Sequence, residues 1–410
     1  MAQSLYNTDL LITKSPSESC MLDRFMRLNA QSLAATAFTL TLVFSCHPLG
    51  LDINGSRNPK SSENRVSRNK YQQPFAVTSI WNMPLGSAAK YVPADIPAHQ
   101  YTGTEADVIV LTPDAPIAKV YTNQVGWTQG NRCAAETNAG FTVPVPRDFL
   151  VPDERPSTPN SSAAFLLTDG RTLAQFQPVA RCQNDGPVTF TAGARFADVD
   201  IYGDGIEGAH GGSGLSSIGG TIRLGELIKG APPMRHALKV NLNAATSISP
   251  NQGGYRWPAK NADSCAPNCY NGQNSALRMG ALLALKQEFS ETKLETEPAK
   301  QLTWTLKNYG AYVVDNSAWS CYYFAFERSP SGSAAREFAK SWGYTPSGLP
   351  YESWTGTDGR MESVPNMETP WGRDMIKIFS ALHIVDNNTP ETPGGGGTPL
   401  QPLAPNIDEP

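Results

Sequence analysis

Short apolar runs, each soon broken by glycine, proline, aspartate or asparagine, confine the first half of this chain to strands and turns. Ala106–Leu111, Ala118–Tyr121, Phe141–Val145, Ala164–Leu167, Leu173–Gln177 and Val188–Thr191 are alternating or wholly apolar, and too short for ordinary helices. The 35 glycines and 33 prolines supply the turns between them. Alternation returns at Ala237–Leu242 and Cys321–Glu327. Helical spacing enters late. Thr296 is placed to cap a helix with Pro298 in its first turn, Ala299, Leu302, Leu306 and Tyr309 on one face, and Gly310 as the stop. Ala334–Trp342 and Arg373–Leu382 are further helix candidates. These patterns predict a mainly β chain, a β-sandwich or jelly-roll-like core with a few peripheral helices, with α+β as the alternative.

The ends read differently. Arg24 and Arg27 precede an apolar run from Ser32 to Phe44, closed by Ser45 and Cys46. Positive charge, a short apolar run and a small residue describe a secretory signal, and the run is too short to span a bilayer. Val43, Ser45 and Cys46 resemble the lipobox of bacterial lipoproteins, which makes Cys46 the lipid-bearing residue. The predicted organisation is a signal peptide over 1–45 and a lipid-anchored tether over 46–73. A single β-rich domain over 74–387 and a disordered Pro/Gly tail over 388–410 complete it. The expected location is outside the cytoplasm, on the periplasmic or outer surface, with membrane contact only through the lipid.

Formal charge is −4 and 17% of residues are charged, which gives no basic surface for nucleic acid. Five cysteines follow Cys46. In an oxidising compartment disulfides are the default, and the expected pairs are Cys133–Cys182 and Cys265–Cys269, leaving Cys321 free and buried. Zinc is the rival, but no CxxC pair or His-x3-His spacing accompanies these cysteines.

Candidate chemistry gathers between Asp198 and Glu226, where glycines from Gly203 to Gly220 preclude one regular element. Such a backbone either turns tightly or comes close to a ligand. His210-Gly-Gly-Ser-Gly lacks the second glycine of a nucleophile elbow, since Leu215 stands two residues after Ser213. Asp198, Asp200 and Asp204 suggest a Ca2+ site of irregular spacing; no other cofactor is expected. His236 enters the alternating strand, and Asp315 closes Tyr309–Val314 beside Asn316 and Trp319.

The segments GGSGLSSIGGTIRLGEL, RHALKVNL, GYRWPAKNAD, LRMGALLAL and LKNYGAYVVD resemble a family of exported bacterial proteins, over roughly residues 75 to 386. The resemblance implies an exported bacterial origin and assigns no activity or catalytic residue.

Export, a β-rich domain and carboxylates with His and Arg in glycine-rich loops lead to an expected polysaccharide-cleaving enzyme, hydrolase or lyase. Glu226 and Asp315 are the expected catalytic pair, with His210 or His236 orienting substrate. Arg223 and Arg278 would neutralise a uronate in the lyase case, and Trp257 and Trp319 would stack on sugar. A non-catalytic surface module binding glycan or protein is the alternative.

Overall fold

A computed structural model describes residues 67–125, 130–153, 160–354 and 363–407. The signal and Cys46 lie outside the described residues. The chain is mainly β, with 28% strand against 16% helix. Five strands carry the argument: β1 (Tyr101–Val110), β2 (Ala163–Leu166), β3 (Leu238–Leu242), β4 (Ala311–Asn316) and β5 (Cys321–Ser329). They form the middle of an eleven-stranded mixed sheet in the order β4, β3, β5, β1, β2. Strands 91–93, 383–385 and 282–284 extend it beyond β4, and 172–176 and 199–200 beyond β2. β3 runs parallel to β4, and β1 is parallel to both β5 and β2; the other pairings in this sheet are antiparallel.

Alternation decides which face each residue meets. Leu238, Val240, Ala311, Val313, Phe324 and Phe326 pack against α1 (Glu297–Asn308), α2 (Ala334–Trp342) and α3 (Pro370–Ser380). All three helices fall where the sequence places them, although Thr296 makes no side-chain cap. Asp374 of α3 instead accepts from the Glu295 and Thr296 amides at 2.9 and 2.8 Å, which ties the two helices together. Further along, a three-stranded sheet of 117–123, 137–144 and 188–191 packs Val120, Val143 and Val188 onto Val108, Val110 and Phe165. On the opposite face Ile109, Tyr312 and Val314 meet Phe75, Ile80 and Trp81. Among the described residues no helix is long and apolar enough to cross a membrane.

The boundaries need correction at both ends. Residues 388–407, expected as a disordered tail, are built into the domain: Leu400 donates its amide to the Leu85 carbonyl at 2.8 Å and packs against the core cluster that contains Leu85 and Trp81. The Pro393–Gly397 loop accepts backbone bonds from the Gly86 and Ala88 amides, through the Gly394 and Gly396 carbonyls. Arg68, assigned to the tether, is buried; its guanidinium donates to the Pro405 and Pro74 carbonyls, and its amide to Asn406. The sequence argument failed because it counted side-chain apolar area, whereas backbone hydrogen bonds hold these segments.

Both disulfides form as expected, and Cys321 is free and buried. Cys133 and Cys182 close a span of 49 residues and Cys265 and Cys269 a span of 4. Loop-closure entropy makes the first worth about 4 kcal/mol and the second about 2 kcal/mol. Paired Cys→Ala variants followed by urea unfolding should show losses in that order; an equal or reversed order would refute the entropic account for this domain.

Candidate functional site

The face of the sheet away from the helices carries polar side chains in the middle of the barrier of strands. Alternation puts Glu105 and Asp107 of β1, Lys239 and Asn241 of β3, and Tyr323 of β5 on that side. Asp315 joins them through an irregularity: β3 and β4 pair Val240 with Val313, then Asn241 with Asp315. Val314 is the extra residue. In unbroken register it would oppose Asn241, and Asp315 would oppose Leu242, whose side chain faces the helices. The bulge therefore turns Asp315 onto the polar face.

The glycine-rich segment lies over this face. A Cβ on Gly211, whose φ is +53°, would sit 2.1 Å from Asp315 Cγ, so only glycine permits the approach. A Cβ on Gly220 would likewise sit 2.5 Å from the Trp81 ring and 2.8 Å from Lys239 Cγ. Of the two readings of these glycines, the segment shows turns at 211–214 and 219–220, and what its backbone approaches is the protein's own carboxylate and core rather than a ligand.

A cleft of about 730 Å3 opens here, lined by Glu105, Asn160, Gln177, Phe196, Asn241, Asp263, Asp315, Trp319 and Tyr323, among others. Asp315 Oδ1 accepts from the Gly212 amide at 3.0 Å, and Oδ2 from the Asn160 side chain. Glu105 accepts from the Asn241 side chain and, at 3.2 Å, from the Asn160 amide. Asp263 accepts from the Tyr270 hydroxyl at 2.8 Å. Burial, then repulsion from Asp263 and Glu105, raises the Asp315 carboxyl well above the usual range. Burial also raises Asp263.

Beneath the cleft lies a buried charge chain. Lys239 Nζ stands 2.6 Å from Asp107 Oδ2, both groups fully buried, and Asp107 Oδ1 is 3.1 Å from His210 Nε2. Burial works to raise Asp107, but Lys239 and His210 outweigh it and its carboxyl is lowered. His210 Nε2 also lies 3.6 Å from Glu105. One donor atom each from Glu105, His210 and Asp315 falls within 4.8 Å of the others, so the trio can hold a metal ion.

Of the residues picked from sequence, Asp315 and Trp319 line the cleft and His210 stands beneath it. Glu226 is elsewhere, with His236 at 3.1 Å and the Arg223 amide at 2.7 Å. The carboxylate facing Asp315 is Glu105, not Glu226. Arg223 is bound to Glu327 at 2.7 Å, and Arg278 to Gln252 and the Tyr255 carbonyl. Trp257 packs on the core cluster that contains Trp81. Neither arginine and not Trp257 is among the lining residues. The three aspartates expected to bind Ca2+ do not converge: Asp200 pairs with Arg171 and Asp198 with Arg195, while Asp204 accepts from the Ile206 amide. Among the described residues, the one cluster with metal-binding spacing is the Glu105 trio.

The Glu226–His236 pair has a measurable signature. Burial would lower the His236 imidazole, but the Glu226 carboxylate and the Ala237 carbonyl outweigh it, against Arg223, and leave it above its ordinary value. A raised folded-state value means the folded protein holds the proton more tightly. This contribution is complete below about pH 6.5, the unfolded value, and is lost as pH rises through the raised one. The unfolding temperature should therefore fall as pH rises above about 6.5, and Glu226→Gln should flatten that fall. An identical slope in the variant would remove the assignment.

No family model, no curated protein and no solved structure matches the chain.

Proposed function

We propose that the cleft is the active site of an exported enzyme that hydrolyses an extracellular polysaccharide. One observation carries this reading: Glu105, Asp263 and Asp315 converge on a single cleft whose rim presents Trp319, 37% exposed and edge-on to Tyr323 at 6.2 Å. An exposed indole beside a carboxylate-lined groove suits the apolar face of a sugar ring. Glycosidic hydrolysis needs a protonated carboxyl to meet the leaving oxygen and a second centre to deliver water or a nucleophile. Asp263 suits the first role, being only partly buried, raised by desolvation and oriented by Tyr270. The deeper Glu105–His210–Asp315 centre suits the second.

Hydrolysis is favoured over elimination because Arg223 and Arg278, the cations expected to meet a uronate, are engaged away from the cleft. Two disulfides suit a protein outside the cytoplasm, and lipidation at Cys46 would hold it at a membrane surface. A polysaccharide panel, read for reducing ends and for the absorbance of unsaturated uronides, tests the reading. New reducing ends without that absorbance support hydrolysis. Unsaturated products would replace it by a lyase, and saturable binding without product by a glycan-binding module.

A further inference from the structure

Glu105, His210 and Asp315 come from β1, the glycine-rich segment and β4, yet their donor atoms meet within 4.8 Å with all three side chains buried. We propose that they bind one divalent first-row transition cation, of the Zn2+ or Mn2+ type, at the floor of the cleft.

The histidine is the observation that separates this centre from mere acidic crowding. His210 is 0% exposed; its Nδ1 has no hydrogen-bond partner, and its Nε2 makes no well-directed hydrogen bond although Asp107 Oδ1 lies 3.1 Å away. A neutral imidazole has one donor and one acceptor, and leaving a buried polar atom unpaired costs about 1–3 kcal/mol. Asp107 Oδ1, 3.1 Å from His210 Nε2, is buried and lacks a hydrogen bond as well. Orphaned groups at this depth call for a further occupant, and water or an ion are the ordinary ones. Charge favours the ion. Glu105, Asp263 and Asp315 line the cleft, no Lys or Arg is among the described lining residues, and the buried Lys239 is committed to Asp107.

The donor set narrows the choice of cation. Ca2+ and Mg2+ prefer shells made wholly of oxygen, whereas imidazole suits zinc, iron and neighbouring metals. Three protein ligands leave coordination positions free toward the cleft, the arrangement that admits a water at a catalytic centre. The outer contacts are built: Asn241 donates to Glu105, and Asn160 and the Gly212 amide donate to Asp315. Asp107 Oδ1 adds a further carboxylate oxygen beside the imidazole, 3.1 Å from Nε2. Such partners fix ligand geometry and commonly alter affinity when removed.

Calorimetric titration of the purified full chain, stripped with chelator, with Zn2+, Mn2+, Ca2+ and Mg2+ decides the matter without any glycan. The expected result is one equivalent of Zn2+ or Mn2+ per chain, with a raised unfolding temperature. Asp315→Asn and His210→Ala should each weaken binding by about 100-fold or more, while Asp200→Asn leaves it unchanged. Asp315→Asn keeps the side-chain shape and so guards against a His210 variant that fails to fold. Absence of stoichiometric binding by the unaltered chain overturns the site. So does binding that both variants retain, and Ca2+ or Mg2+ binding as tightly as Zn2+ overturns the cation class. Because metal is read directly, failure of the polysaccharide panel leaves this result standing.

Discussion

Asp263→Asn should lower kcat by about 10²- to 10⁴-fold with little change in KM, the usual scale for loss of a general acid. Asparagine keeps the shape and can still meet the Tyr270 hydroxyl, but it has no proton to give to a leaving oxygen. The deficit should shrink on an aryl glycoside, whose leaving group needs little protonation. A merely structural role would not produce that difference. Glu226→Gln, the substitution sequence alone would have chosen, should keep its turnover because Glu226 serves His236. Steady-state rates on the polysaccharide that responds in the panel check both. Full activity in Asp263→Asn ends its assignment as acid.

Lys239→Met should cost about 3–5 kcal/mol of stability, the scale for removing one partner of a buried ion pair. Lys239 reaches Asp107 at 2.6 Å and the Ser216 carbonyl at 3.0 Å, and both charged residues are fully buried. Methionine restores volume and leaves the Asp107 carboxylate charged in the interior with only His210 and Thr221 beside it. Adding Asp107→Leu should recover part of the loss, since a well-packed apolar pair often replaces a buried ion pair at little cost. Urea unfolding of the single and double variants measures both numbers. A single-variant loss under about 1 kcal/mol would contradict the desolvation argument.

Local pattern made the secondary structure legible. Ala334–Trp342 was bounded correctly because its apolar face, its Ser333 cap and the left-handed Gly343 all agree. Both disulfides were legible from their polar, turn-rich surroundings. The site was legible only in half. Asp315 and His210 stood out as polar residues at a strand end and in a glycine-rich run. Glu105 and Asp107 did not, because the run Ala106–Leu111 leaves out the first and absorbs the second as an ordinary strand residue, yet two acids before Val-Ile-Val were a usable signal. Lys239 and Asn241 are the polar positions of the alternating strand Ala237–Leu242; the structure covers that face with the glycine-rich segment. Periodicity reveals that two faces differ, not which of them ends up covered. The Glu226–Asp315 pairing failed for a related reason, since proximity to the glycine-rich run in sequence says nothing about register across β3, β4 and β5.

The parallel pairing of β5 with β1, Cys321–Arg328 against Tyr101–Val108, joins distant parts of the chain. Glu105 arrives with β1, and Asp315 only with β4, after most of the domain has been made. Contacts this remote in sequence close late, because the loop between them must first give up its freedom. A nascent chain emerging amino end first thus lacks the proposed centre for most of its synthesis. Truncations that stop before residue 315 lack the centre however well their strands form.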